Sequence, residues 1–257
     1  MKNPISMAMF SRRALTRETA GEQLDFLSSF EGGLLCPDTC SQYEPIRTSF
    51  DPGNIVDPVS WLAKPHGSFF YKKGKPAVLR GEVWNLMHSI DAKAPSPLFC
   101  SRWTARFSGS WVQKIGEERL ATFVGQLLHV TGSDFGLLTS ESDFKAKNID
   151  ATGFSYKGLD LAAGVPGLYC LNFLSRELAS WLRLEELPQE FASVVEWQKA
   201  CVVLKFSDSL VDARNPEVLR RQSDAIVWMG RDKFFDVHHP DRELLAPKWN
   251  LSNSTEL

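Results

Sequence analysis

Neither sign of charge prevails in this chain: 29 lysines and arginines face 31 aspartates and glutamates, for a formal net charge of −2. Nucleic-acid binders usually carry a basic excess that neutralises phosphates and releases counterions. A protein that blocks a basic cleft by imitating DNA needs a strong acidic excess. Neither signature exists in bulk, which leaves only local patches. Long apolar runs are lacking too. Ala200-Cys-Val-Val-Leu204 falls far short of the ~20 residues a spanning helix needs, so no membrane association is expected. The first ten residues are only weakly apolar, and Arg12 and Arg13 follow rather than precede them. That is not the pattern of a signal peptide, and the expected location is cytoplasmic. The five cysteines are odd in number, whereas a secreted disulfide framework favours even numbers in a smaller chain. No HExxH, HxH, GxSxG, Walker or GxGxxG pattern occurs, so no cofactor, nucleotide or catalytic residue is expected.

What the chain does have is apolar substance. Of 257 residues 43% are hydrophobic, with 17 Phe and 8 Trp, enough buried area to offset chain entropy and exclude wholesale disorder. No repeat and no clean linker divides it, so a single domain over residues 1–250 is expected, with a frayed tail at 251–257. Residues 5–10 read as a first strand. Thr19-Ala-Gly-Glu22 resembles a capping box that opens a helix carrying Ala20, Leu24 and Leu27. Asp51-Pro-Gly-Asn54 is a turn, and a helical turn with Trp61 and Leu62 follows it. Ser68–Tyr71, Val78–Ile90 and Leu98–Phe107 read as a meander of strands. Cys100, Trp103 and Phe107 alternate imperfectly, which predicts a bulge. Leu120, Phe123, Val124, Leu127 and Leu128 form the clearest helical stripe. After a brief strand at Asp134–Leu138, Ser140 starts a short helix. A polar connection covers 145–163. Gly164–Phe173 turns into a buried strand. A helix from Ser175 to Leu184 points Leu178, Trp181 and Leu182 inward, and Cys201–Phe206 is a late core strand. Asn215-Pro-Glu217 opens a last helix that Gly230 stops. The fold class is α+β: a mainly antiparallel twisted sheet with helices packed on it.

Three groups could carry chemistry. Cys36 and Cys40, a CxxxC pair, could bind metal, form a bridge or pair with His66, but no second pair completes a zinc set. Asp236, His238, His239 and Asp241 concentrate metal-capable groups, and a polar chain reversal accounts for them as well. His88 and His129 stand alone near element ends. Arg102, Trp103, Arg106 and Trp111 interleave cations with aromatics, as a base-stacking surface would; alternation on a half-buried strand gives the same pattern. These leave a metal- or thiol-dependent hydrolase and a nucleic-acid-binding module as alternatives to a binding protein.

The run Gly164-Val-Pro-Gly-Leu-Tyr-Cys-Leu-Asn-Phe173 resembles a segment of bacterial immunity proteins in which a G-[LIV]-P-G-[LIV]-[YF]-W-x-N-[YF]-like motif enters a core strand. Cys170 stands where those proteins more often carry Trp. The order of elements over residues 5 to 245 is also similar, and the family it resembles is the immunity protein 52 family, TsiT-type partners of TseT-type type VI secretion effectors included. The resemblance implies an antitoxin without enzymatic activity, whose partner is a cognate nuclease toxin of restriction-endonuclease fold. It supplies no catalytic or metal residue. Such pairs combine complementary charge with buried aromatic anchors. Glu185, Glu186 and Glu190 are one candidate partner-binding face, and Asp208 with Asp212 another. Homo-oligomerisation is left open.

Overall fold

The computed structural model of the chain describes residues 3–85, 101–148, 164–197, 201–239 and 241–247. Expectations that involve Leu86–Cys100 (His88 among them), residues 149–163, Pro240 and the tail after Trp249 lie outside the described residues. Contacts group the chain into two units, Met1–Leu138 and Thr139–Leu257.

The first unit opens with β1 (Ile5–Ser11), buried along its whole length. A strand covered on both faces needs apolar or small residues throughout, so Ile-Ser-Met-Ala-Met-Phe shows no alternation. Helix α1 (Arg17–Ser29) is capped by Thr16, three residues before the expected cap at Thr19. Thr16 Oγ1 accepts from the Thr19 amide at 3.2 Å, and Thr19 Oγ1 accepts from the Thr16 amide at 2.9 Å. The second hydroxyl takes the acceptor role that Glu or Gln usually fills. Short strands β2 (Thr39–Ser41) and β3 (Thr48–Ser49) follow, then α2 (Val56–Leu62), β4 (Ser68–Lys73), β5 (Leu79–Asn85) and β6 (Ser101–Phe107). Helices α3 (Gly109–Ile115) and α4 (Glu117–Thr131) lead into β7 (Phe135–Ser140), whose last two residues begin the second unit.

Within the first unit the strand order is β3-β2-β4-β5-β6-β1-β7. The β2–β3, β2–β4, β4–β5, β5–β6 and β6–β1 ladders are antiparallel. The bulge expected near Trp103 does not occur. β6 pairs without a break with both neighbours from Ser101 to Phe107. Ser101, Trp103, Ala105 and Phe107 are buried, while Arg102, Thr104 and Arg106 are not. The Cys100 part of that expectation lies outside the described residues. Trp103 Nε1 donates to Gln23 Oε1 at 2.9 Å, so α1 satisfies the one polar atom of a buried indole. Gly81 lies opposite Tyr71, and a Cβ there would stand 2.3 Å from Tyr71 Cζ. Only a residue without a side chain lets the buried phenol lie across the neighbouring strand. The helical stripe of α4 is buried as expected, and the helix ends at Gly132 in the left-handed region, φ 59°.

The second unit contains α5 (Glu141–Asn148), β8 (Leu171–Leu174), α6 (Arg176–Trp181), β9 (Ser193–Trp197), β10 (Cys201–Lys205) and α7 (Pro216–Met229). β10 lies between β8 and β9, antiparallel to both. Ser175 and Asn215 cap α6 and α7, with Pro216 in the first turn and Gly230 after the last. Helix α6 is shorter than expected: Leu178 and Leu182 are buried, but Trp181 is only half-buried and carries the Lys233 ammonium 4.7 Å from its ring centroid. The cation keeps that indole face near water. The chain is α+β, with antiparallel ladders throughout its named strand pairs.

Gln23→Leu keeps the volume of the α1–β6 contact but strands the Trp103 N–H in an apolar site. The expected cost is about 1–3 kcal/mol, read as a lower urea midpoint at unchanged m.

Candidate functional site: an exposed edge and a cleft in the second unit

The acidic residues singled out in the sequence fall into two places. Glu185 and Glu186 lie in a 3-10 turn (Leu184–Glu186) and Glu190 in the turn before β9, all exposed. Glu186 is bound by Arg183, whose Nε reaches its Oε1 at 3.2 Å. Asp208 pairs with Lys205 Nζ at 2.7 Å, and that hydrogen bond and charge hold its carboxyl below the ordinary value. Asp212 ends a second 3-10 turn (Leu210–Asp212) and is exposed.

The first group adjoins a feature the sequence did not announce. β9 pairs with β10 and ends the strand order. Ser193 to Glu196 are all exposed, Val194 at 37% and Val195 at 47%. Beside it lies a depression of ≈ 590 Å³ lined by Leu184, Glu185, Leu187, Gln189 and Val194. The structure therefore brings Glu185 and the open strand to one surface; Asp208 and Asp212 do not line it. Exposed edges are usually blunted by lysine, proline or a bulge. Ser-Val-Val-Glu-Trp has no lysine or proline and pairs regularly with β10; its one charge, Glu196, is paired with Arg176.

A second cleft, ≈ 490 Å³, collects several of the chemistry-bearing residues. One wall is Pro166–Leu168 of the recognised segment. That segment is a folding element, buried from Gly164 to Leu174. Tyr169 OH donates to Pro166 O at 3.2 Å and accepts from Asn148 Nδ2 at 2.8 Å. Asn172 accepts the Tyr169 amide at 2.9 Å and donates to Tyr169 O at 2.9 Å and Leu204 O at 3.3 Å. A Cβ at Gly164 would come within 3.0 Å of Lys233 O, and Gly167 sits at φ 122°, which gives both glycines a reason.

Another wall is Lys147. Its ammonium donates to Asp143 Oδ1 at 2.8 Å, Leu168 O at 2.7 Å and Gln222 Oε1 at 2.7 Å, which uses all three N–H bonds. Burial lowers its pKa, and the charge and hydrogen bond of Asp143 oppose that shift. Asp143 is buried and also accepts from Thr139 Oγ1 at 2.7 Å. Gln222, 2% exposed, has no partner for Nε2. Residues 145–148, expected to begin a polar connection, instead continue α5 and bring Lys147 one turn after Asp143; Gln222, 75 residues away, gave no signal.

The histidine cluster is a chain reversal. Asp236 takes the His238 amide at 3.0 Å, His239 Nδ1 at 2.8 Å and Arg242 Nη2 at 3.2 Å. Burial works to raise its carboxyl, but these hydrogen bonds and charges outweigh it and the pKa is lowered. Among the described residues no three His, Cys, Asp or Glu side chains could hold a metal ion together. Cys36, Cys40, Cys170 and Cys201 are not in disulfides. Burial pushes Cys40 and Cys201 up to about 11 and raises Cys36, which disfavours the thiolate a nucleophile needs. Arg102 and Trp103 point to opposite faces of β6, and Trp103 is interior, so they do not form one stacking surface. Among the described residues no helix is long and apolar enough to cross a membrane.

No protein-family model matches this chain, and no curated protein sequence does. The arrangement of strands and helices defines an α+β fold that solved structures share. One of them is the Pseudomonas aeruginosa T6SS protein PA0821, matched with a TM-score of 0.56 at 12% identity over 87% of this chain and 74% of that one. At that identity the likeness is one of fold.

Two outcomes follow from the site's electrostatics. Lys147→Met leaves the Asp143 carboxylate buried without its cation, and unfolding should become about 3 kcal/mol easier. That is the low end for a buried pair, because the Lys147 side chain is still 23% exposed. The thiols give a pH dependence: Cys40 and Cys201 are raised in the fold from 9.0 to about 11. Their contribution is complete below pH 9 and is lost as pH rises through about 11. Cys40→Ala/Cys201→Ala should remove that part of the alkaline fall in the urea midpoint. At pH 8 neither thiol should react with a maleimide until denaturant is added.

Proposed function

We propose that this chain is an immunity protein, an antitoxin that binds and neutralises a cognate secreted nuclease of a type VI secretion system in the cytoplasm of the producing cell. The observation that carries the reading is the fold shared with a T6SS protein across 87% of the chain. The resemblance of Gly164–Phe173 to immunity proteins supports it. The chemistry of the alternatives adds weight: the thiols are shifted away from reactivity and the histidines close a turn.

The surface we assign to the toxin is β9 with Glu185, Glu186 and Glu190 beside it. A nuclease must present a cationic cleft to bind phosphates. Glu185 and Glu190 meet that charge, and the open strand adds main-chain hydrogen bonds and the side chains of Val194 and Val195. Inhibition is by occlusion of the nuclease cleft or of its self-association surface.

Co-expression with the toxin encoded by the adjacent gene should restore growth, and the two purified proteins should co-elute. Val195→Lys with Glu185→Lys should weaken the complex by at least about tenfold without lowering the thermal midpoint. A dimer of this chain alone that Val195→Lys dissolves would reassign the edge to self-association. Failure of every neighbouring product to bind or to be neutralised would sink the proposal.

A further inference from the structure

We propose that the depression beside β9 seats an arginine of the toxin, carried on an extended segment of that protein and flanked there by apolar residues. The inference rests on the reading of β9 as the toxin surface and names what the toxin must bring to it. The floor of the depression is apolar: Leu184, Leu187 and Ala192 line it and are buried. Its rim is polar: Glu185 and Gln189 line it and are exposed, with Val194 beside them. Among the described residues Glu185 is the only ionisable side chain in the lining. Arg183 is hydrogen-bonded to Glu186, and the Glu185 charge also acts on it. No ion pair joins Glu185 itself to a cation among the described residues. One cation beside two carboxylates leaves a negative charge over at the rim.

That charge decides what can fill the depression. A purely apolar side chain would cover the carboxylate and give it no partner, and an ionised group taken from water unpaired is heavily penalised. A cation on a long aliphatic stem meets both demands, because the stem lies on the leucines and the head stays at the rim. Arginine does so better than lysine. Its planar head offers five N–H bonds and can serve the Glu185 carboxylate and the Gln189 carbonyl together. The strand fixes the setting. A segment that pairs with the free margin of β9 is extended, and its side chains alternate between faces. Val194 lines the depression, and Val195 points to the opposite face. The toxin residue on the Val194 side is the arginine. Its two neighbours fall on the Val195 side, where a valine 47% exposed is open to apolar contact. Glu196 does not compete for the arginine, since Arg176 already pairs with it.

The test is a double-mutant cycle on the complex of the full chain with the toxin encoded by the adjacent gene, with affinities measured by calorimetry. Each arginine and lysine of the toxin is changed to Met, which keeps a stem and removes the charge. Each variant is titrated against the parent chain and against Glu185→Gln. One arginine should lose at least about tenfold in affinity for the parent chain and at most about twofold for Glu185→Gln. Against Asp208→Asn, an exposed acid outside the depression, the same change should still cost about tenfold. Glu185→Arg with that toxin arginine changed to Glu should recover at least about fivefold of the loss, which a variant that merely unfolds cannot do. Asp on either side of the arginine should weaken the complex at least about fivefold. The inference is overturned, with the toxin reading intact, if Val195→Lys weakens the complex but no arginine couples to Glu185. It is equally overturned if only a lysine couples, or if Asp is tolerated on both sides of the arginine. A dimer of this chain alone that the toxin cannot displace would give the edge to a second copy and overturn it as well. If no neighbouring product binds at all, the inference and the toxin reading fall together.

Discussion

Lys147 takes its charge into the second unit, and three stretches of chain meet its three N–H bonds: Asp143 from its own helix, the Leu168 carbonyl from the glycine-proline segment, and Gln222 from α7. All three N–H bonds are used, so these stretches meet at one nitrogen. The Tyr169 ring lies 5.1 Å from the same nitrogen, and its hydroxyl ties Asn148 to Pro166. The position of the cleft follows. Its back wall is this network.

Two strands show how differently a sheet treats its members. β1 is buried over seven residues, and its sequence is accordingly apolar or small at every position. β9 has one partner strand among the described residues and three apolar residues in five, yet four of its five residues face water. Hydropathy alone does not tell these apart. What distinguishes them is the order of strands, a property of the whole fold that no local window contains. The open strand at the margin is the feature on which the proposed toxin surface rests.

Legibility in the sequence followed the same line. The stripe of α4 and the Asn-Pro start of α7 could be read because their signals are local: a 3.6-residue period and a capping residue beside a proline. The start of α1 was misplaced because Thr19 can imitate a carboxylate acceptor, which the usual pattern omits. The three- and two-residue strands β2 and β3 are too short for any period. At the candidate sites the acids were visible, but β9 and Gln222 were not, since one depends on strand order and the other on a contact across 75 residues. The histidine pair allowed a metal site or a chain reversal, and it forms the turn, with Asp236 accepting from His238 and His239.

The phenol that lies across β5 has an evolutionary corollary. Tyr71 occupies the space that any β-carbon at position 81 would need. A larger residue at 81 is viable only after 71 shrinks, and a smaller residue at 71 opens a void that 81 can then fill. The two positions should drift as a pair, by compensated double steps, with intermediates that fold less well than either end point.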